Sequence, residues 1–238
     1  EKGGSLRQGL NVDASNLDVM DATFWYDWWV LNQINEYLVV FNPWDLSIFT
    51  PWLCESYNVG TWEHPTEGTC SAVNFTLIPG ILWQDGIPLT AEDVGFSFWF
   101  TRECKSSTYT YVKDFEEAMI YEDTPPGKET IEIRFKVPSW LALYWCSGIP
   151  ILPEHVWSDE YWYRGEQGPG VDGSPGYVPE DHDTVFGTGP FRFYKDGVVG
   201  KVDRVPGEYL YLEPNPLYFR KYIWPDVCDA TGKLPSDG

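Results

Sequence analysis

Residues 83–98 read W-Q-D-G-I-P-L-T-A-E-D-V-G-F-S-F, and three structural signals follow one another within them. The run before it, N-F-T-L-I-P-G-I-L-W at 74–83, is rich in β-branched and aromatic residues and reads as a strand. Asp85-Gly86 then predicts a turn, because glycine takes positive φ without steric cost. Thr90 is placed as a helix N-cap, with Asp93 at the third helical position as a shorter relative of the Glu or Gln of a capping box. Glu92 and Asp93 suit the positive end of the helix dipole. Val94, Phe98 and either Phe100 or Thr101 carry the buried face of a helix over 90–104.

The 238-residue chain is 43% hydrophobic and 22% charged, so it can bury a core of one large domain or two small ones. Lys and Arg number 16 against 36 Asp and Glu, a formal net charge of -20. Nucleic-acid binding needs a cationic surface and is therefore not expected. Adhesion to anionic lipid is disfavoured for the same reason. Aromatics make up 17% of the chain and Trp alone counts 13, which serves either a core or a site that stacks flat ligands. No apolar run reaches the length of a membrane span, and no signal peptide is readable.

The five cysteines are Cys54, Cys70, Cys104, Cys146 and Cys228, with no CxxC and no zinc spacing to His64, His155 or His182. Their wide spacing is that of structural disulfides in an oxidising compartment. Cys54–Cys70, flanking a polar turn, is the first expected pair and Cys104–Cys146 the second. Cys228 is then free or bonded outside the chain. No metal or cofactor site is expected. The N-F-T at 74–76 is a formal glycosylation sequon that serves equally as strand.

Taken in order, residues 6–12 read as a first strand, followed by a loop over 13–18. Apolar positions 24, 28, 31, 34 and 38 predict one helix over 24–41, ended by Asn42-Pro43. Residues 51–82 read as a β-hairpin, 112–122 as helix turning into strand, and 130–137 as a cleanly alternating strand. Pro125-Pro126-Gly127 is a turn. A short helix follows Pro138, and Pro153 suits the first turn of another. The Gly- and Pro-rich run 164–183 is a loop whose acidic residues lack EF-hand spacing. A glycine turn into strand is expected at 187–195, and a further strand at 208–219.

The string W-x-D-G-x-P-L-T-A-E-D-V-x-F-S closely resembles the signature of the family 5 extracellular solute-binding proteins, the oligopeptide-, dipeptide- and nickel-binding receptors of ABC importers. Three further blocks match in the same order. N-L-D with V-L-N-Q-I-N-E-Y-L-V resembles the family's first loop and helix. P-W-L-C-E-S-Y resembles its P-x-L-A-E-S-W strand, with Cys54 in place of the usual Ala. G-T-G-P-F-R-F with L-E-P-N-P-L-Y-F resembles the blocks that close its first lobe.

The resemblance implies a mixed α/β fold, periplasmic-binding-protein-like type II, of which this is lobe one: a mixed sheet, flanking helices and an inserted β-rich subdomain. Residues 1–36 and 186–225 would form the base, 37–185 the inserted subdomain, and 226–238 a tail towards a second lobe. It also implies an extracellular or periplasmic receptor, tethered to the outer face of the membrane, that works as a monomer with an importer permease. The ligand, a peptide or an oligosaccharide, would lie between two lobes. Thr23, Phe24 and Trp25 are then expected at the cleft, with Tyr109 from the loop after the motif helix and Tyr111 as its fallback. Packing in the core is the competing reading for Trp25 and Tyr109. The competing function is a secreted carbohydrate-active enzyme or carbohydrate-binding domain using surface carboxylates and Trp. No G-x-S-x-G elbow supports it, and converging carboxylates in a cleft would distinguish it.

Overall fold

The computed structural model describes residues 7–14, 16–42, 44–121, 128–158 and 185–220. The expected turn at 125–127, the acidic loop 164–183 with His182, Cys228 and the tail 226–238 fall outside the described residues.

The centre of the fold is an antiparallel sheet of four strands, β3 (Cys54–His64), β4 (Gly68–Leu77), β5 (Phe115–Tyr121) and β6 (Thr130–Phe135), in the order β3-β4-β6-β5. β3 and β4 form the expected hairpin. It turns at Gly68 (φ +79°), where His64 Nδ1 accepts the N–H groups of Thr66 and Glu67. β6 alternates as its sequence predicts: Ile131, Ile133 and Phe135 are fully buried while the residues between are half-exposed. The sheet packs under α2 (Ala91–Glu103), whose Val94, Phe98, Phe100 and Thr101 are all buried. α3 (Tyr109–Val112) and α4 (Ala142–Ser147) close one end, and residues 154–158 add a helical turn begun at Pro153. Asn74 lies mid-strand, half-buried, with its amide donating to Glu132, so the sequon is a strand residue here.

Two smaller cores lie outside the sheet. Leu17, Leu31 and Ile34 pack with Phe193 and Val202, while Met20, Phe96, Phe100 and Leu152 form the other. Every strand pairing among the described residues is antiparallel, including the short ribbons β1 (Val39–Phe41) with β2 (Phe49–Pro51) and β10 (Asp203–Val205) with β11 (Tyr209–Tyr211). Between these ribbons run β7 (Phe191–Arg192), β8 (Tyr194–Lys195) and β9 (Val198–Val199), and β12 (Glu213–Pro214) returns to pair with β7.

Four expectations are corrected. Residues 7–12 form no strand; they have no partner among the described residues, and Leu10 and Val12 face solvent. The helix expected over 24–41 is only α1 (Trp25–Leu31). It ends at Leu31 with Asn32 as its C-cap, and Asn35 beyond it donates both its N–H (2.8 Å) and its side-chain amide (3.1 Å) to Leu31 O. The carbonyls of Gln33 and Ile34 then turn outward and accept from Phe191 N (3.1 Å) and Gly189 N (2.8 Å). Val39–Phe41, β-branched and aromatic, goes into β1 instead. The strand expected over 208–219 is split into β11 and β12.

The fourth correction concerns the disulfides. Cys54, Cys70, Cys104 and Cys146 are all free thiols. In the β3–β4 register Cys54 faces Leu77 and Cys70 faces Trp62, so the first pair lies at opposite ends of the hairpin. Cys146 belongs to the main core and Cys104 packs at the edge of the core around Met20, Phe96 and Leu152. Burial pushes the Cys54 and Cys104 thiols up to about 12.

Candidate functional site

The motif stretch supplies rigidity to the site. Trp83 is fully buried, and its Nε1 donates to Asp93 Oδ2. Oδ2 also accepts from Thr90 N (2.9 Å) and the Thr90 hydroxyl (3.3 Å), while Oδ1 accepts from Glu154 N (2.8 Å). Ala91 N at the same helix start donates to Glu129 Oε2 (2.6 Å). Two carboxylates thus satisfy otherwise orphaned donors at the positive end of α2. The turn at Asp85 is tied to the 154–158 helix by His155 Nε2, 2.8 Å from Asp85 Oδ2. Gln84 donates from Nε2 to Phe191 O, joining the turn to β7.

α1 is held by its underside. Asp27, 1% exposed, accepts from Asn16 N, and Trp28 Nε1 donates to Ala22 O. The other side of α1 projects aromatic rings outward. Phe24 is 66% exposed, Trp25 56% and Trp29 39%, so position 24 is not core as helical spacing suggested. Trp25 and Trp29, one helical turn apart, have ring centroids at 5.2 Å. Thr23 is exposed beside them.

From the C-terminal end of α1 the surface continues through neutral polar groups. Tyr37 donates its hydroxyl to Asn32 Oδ1 at 2.7 Å. Tyr111 is close enough to Tyr37 to raise the latter's phenol further, behind burial and the Glu36 charge. The Tyr111 and Tyr144 hydroxyls are 3.4 Å apart, with ring centroids at 5.6 Å, and Tyr144 continues to Phe41 at 6.0 Å. The hydrogen bond to Tyr144, then burial, push the Tyr111 phenol up to about 12. The Tyr37 and Tyr111 hydroxyls therefore stay protonated and can donate as well as accept at neutral pH.

Of the expected site residues, Thr23, Phe24 and Trp25 are exposed together at the start of α1. Tyr111, half-buried, packs on the main core and pairs with Tyr144. Tyr109 is half-buried and packs on the main core; no contact among the described residues links it to Trp25. Gly148 lies under the Tyr111 ring, where a Cβ would come within 2.7 Å of it. Trp29, Asn32, Tyr37 and Tyr144 were missed. Only Trp29 had a sequence signal, its spacing of four from Trp25.

A separate open groove of about 560 Å³ runs between α2 and β5, lined by Glu92, Phe96, Trp99, Glu116, Glu117 and Glu154. Glu117 is paired with Arg134 at 2.7 Å and Glu116 faces His64 at 3.7 Å. Burial, then the charges of Asp93 and Glu92, raise the Glu154 carboxyl. Among the described residues no three His, Cys, Asp or Glu side chains are grouped to hold a metal, and no helix is long and apolar enough to cross a membrane.

The architecture is that of one part of a type II periplasmic binding protein. The chain superposes on the ABC transporter substrate binding protein CtaP of Listeria monocytogenes with a TM-score of 0.64, at 18% identity, over 92% of this chain and 38% of that one. It also superposes on the mannohexaose-bound periplasmic oligopeptide-binding protein of Thermotoga maritima, with a TM-score of 0.52 at 22% identity, over 79% of this chain and 29% of that one. Residues 49–233 match the model of the bacterial extracellular solute-binding proteins, family 5, and the chain belongs to that family. In sequence it is 28% identical over 155 residues to the peptidoglycan-binding protein YepA of Agrobacterium fabrum, covering 64% of this chain. The chain spans about a fifth of the length of the curated relatives it matches.

Proposed function

We propose that this chain is one lobe of the solute-binding component of an ABC importer, holding a peptide or an oligosaccharide between itself and a second lobe. The observation that carries this is the group of exposed aromatic rings at the start of α1, Phe24, Trp25 and Trp29, on a chain of the solute-binding family. Monomeric proteins rarely leave such apolar surface open unless a ligand or partner covers it. Here that role falls to the ligand and the facing lobe, with closure selected by the ligand. Residues 1–36 and 186–225 act as the base and 37–185 as the inserted subdomain. The receptor works outside the cell or in the periplasm as a monomer, tethered to the outer face of the membrane, and delivers to a permease. It is read as a binding protein and not as an enzyme because the family it belongs to is one of solute-binding proteins.

Calorimetry of the 238-residue chain against peptide and oligosaccharide pools tests the division between lobes. One lobe supplies about half the contacts yet bears most of the entropic cost of immobilising the ligand, so binding near ~1 mM is expected. Micromolar binding by the chain alone would show the site complete within it and overturn the two-lobe reading.

A further inference from the structure

We infer that the tip of the β1–β2 ribbon, Trp44 to Ile48, is a contact for a neutral lipid surface, which it enters at headgroup depth. This rests on the membrane-side location proposed above and does not depend on which solute is bound. Residues 44–48 are exposed without a break, and three of them are large and apolar: Trp44 at 54%, Leu46 at 71% and Ile48 at 50%. The ribbon that carries them is firmly rooted. Val39 is fully buried in the main core, and the Tyr57 hydroxyl donates to Phe49 O at 3.2 Å.

The tip is held by its own hydrogen bonds. Asn42 N donates to Ile48 O (2.9 Å) and Ile48 N to Asp45 O (3.0 Å). Asn42 Oδ1 accepts from Trp44 N (2.9 Å) and Asp45 N (3.3 Å). Asp45 Oδ1 accepts from Ser47 N (3.0 Å) and the Ser47 hydroxyl (2.6 Å). The N–H groups of Trp44, Asp45, Ser47 and Ile48 are thus all bonded within the loop. A loop whose amides are satisfied internally gives up little when it leaves water, which is the condition for entering a bilayer.

Size and charge favour lipid over a protein partner. A stable protein interface buries roughly 1,200 Å² or more, which three side chains on a ribbon tip do not supply. A fluid lipid surface needs no shaped counterpart. Indoles settle at headgroup level, with aliphatic side chains just below them. No Lys or Arg occurs between residues 8 and 101, so this stretch has nothing to pair with anionic headgroups, and the lipid it fits is neutral. Asp45 limits the depth. Its bonds to Ser47 hold its carboxyl below the ordinary carboxylate range, so it stays charged and keeps the tip out of the hydrocarbon. Such a contact is weak by itself; together with a tether it is the second attachment that fixes how the receptor stands on the membrane.

The test is hydroxyl-radical footprinting of the full-length protein, prepared without a lipid anchor, with phosphatidylcholine vesicles at about 10 mM lipid to suit weak binding. Trp44, Leu46 and Ile48 should lose labelling, while Tyr209 and Tyr211 of β11 keep theirs. The Trp44→Ser/Leu46→Ser/Ile48→Ser variant should float with these vesicles about tenfold less, and its melting temperature and solute affinity should match the wild type. About 0.5 M NaCl should leave binding to neutral vesicles unchanged. Anionic phosphatidylglycerol vesicles should bind more weakly at low salt. Undiminished flotation of the triple variant, or unchanged labelling of Trp44 and Leu46, would overturn the lipid assignment and spare the solute-binding reading. Protection of Trp44 on raising the protein concentration without vesicles would also overturn it, making the tip a contact between copies. Loss of solute affinity in the folded triple variant would assign the tip to the solute site instead.

Discussion

Trp83 Nε1 donates to Asp93 Oδ2 across 3.1 Å, and both residues are buried. The tryptophan that opens the motif and the aspartate in its A-E-D-V segment are thus one unit. The remaining donors on that carboxylate are Thr90 N, the Thr90 hydroxyl and Glu154 N. Asp93→Ala would strand several buried donors and should cost about 3–5 kcal/mol. Thr90→Ala removes only the longest of those bonds and should cost about 1 kcal/mol or less. Urea denaturation of the two variants checks the order; equal losses would mean that Asp93 is not the hub.

The G-T-G-P loop should tolerate no side chain at its first glycine. A Cβ at Gly187 would lie 1.9 Å from Ile34 O, and one at Gly189 would lie 2.6 Å from the same atom. The obstacle is backbone, so it cannot rotate away. Gly187→Ala should lower stability by several kcal/mol, on the order of a badly overpacked core. Gly9→Ala, with open space around it, is the control and should melt like the wild type.

Glu36 links stability to pH. Its carboxyl is buried, accepts from Trp52 Nε1 and bonds to Tyr218, while Arg220 lies near and stacks over Trp52 at 4.2 Å. Burial pushes it from the ordinary 4.5 up to about 8, against the Tyr218 hydrogen bond and the Arg220 charge. The folded value exceeds the unfolded one, so the folded chain holds this proton more tightly. Its stabilising contribution is complete below about pH 4.5 and is lost as pH rises to about 8. Glu36→Gln keeps a neutral acceptor and should flatten that part of the curve, gaining on the wild type by on the order of a few kcal/mol at high pH. Melting curves between about pH 5 and about pH 9 check this; parallel profiles would contradict it.

The α2 motif was legible in the sequence because its signals are local: a capping residue, an acidic first turn and apolar spacing lie within one helix. The length of α1 was not. Ile34 and Leu38 continue its helical phase and are indeed fully buried, but they reach the core after a turn made by Asn35 and held by Gly189 and Phe191. Tyr37 and Tyr144 were equally hidden, because they come from separate segments and meet Asn32 and Tyr111 only in the folded chain. The disulfides failed because cysteine spacing says nothing of strand register, and register puts Cys54 and Cys70 at opposite ends of one hairpin.

The thiols offer a direct check on that correction. Cys54, Cys70, Cys104 and Cys146 should all react with a thiol reagent in denaturant without prior reduction. In the native protein Cys54 and Cys146, buried in the main core, should react far more slowly. Two or more of the four proving unreactive until reduced would restore a disulfide framework.

The solute is expected to lie on the α1 face. Hydroxyl-radical footprinting of the full-length protein, with and without a saturating pool of peptides and neutral oligosaccharides, tests it most directly. Trp25, Trp29, Tyr111 and Tyr144 should become protected together, while Tyr209 and Tyr211, each about half exposed on β11, are labelled as before. Unchanged labelling of the four, with protection elsewhere on the chain, would contradict it.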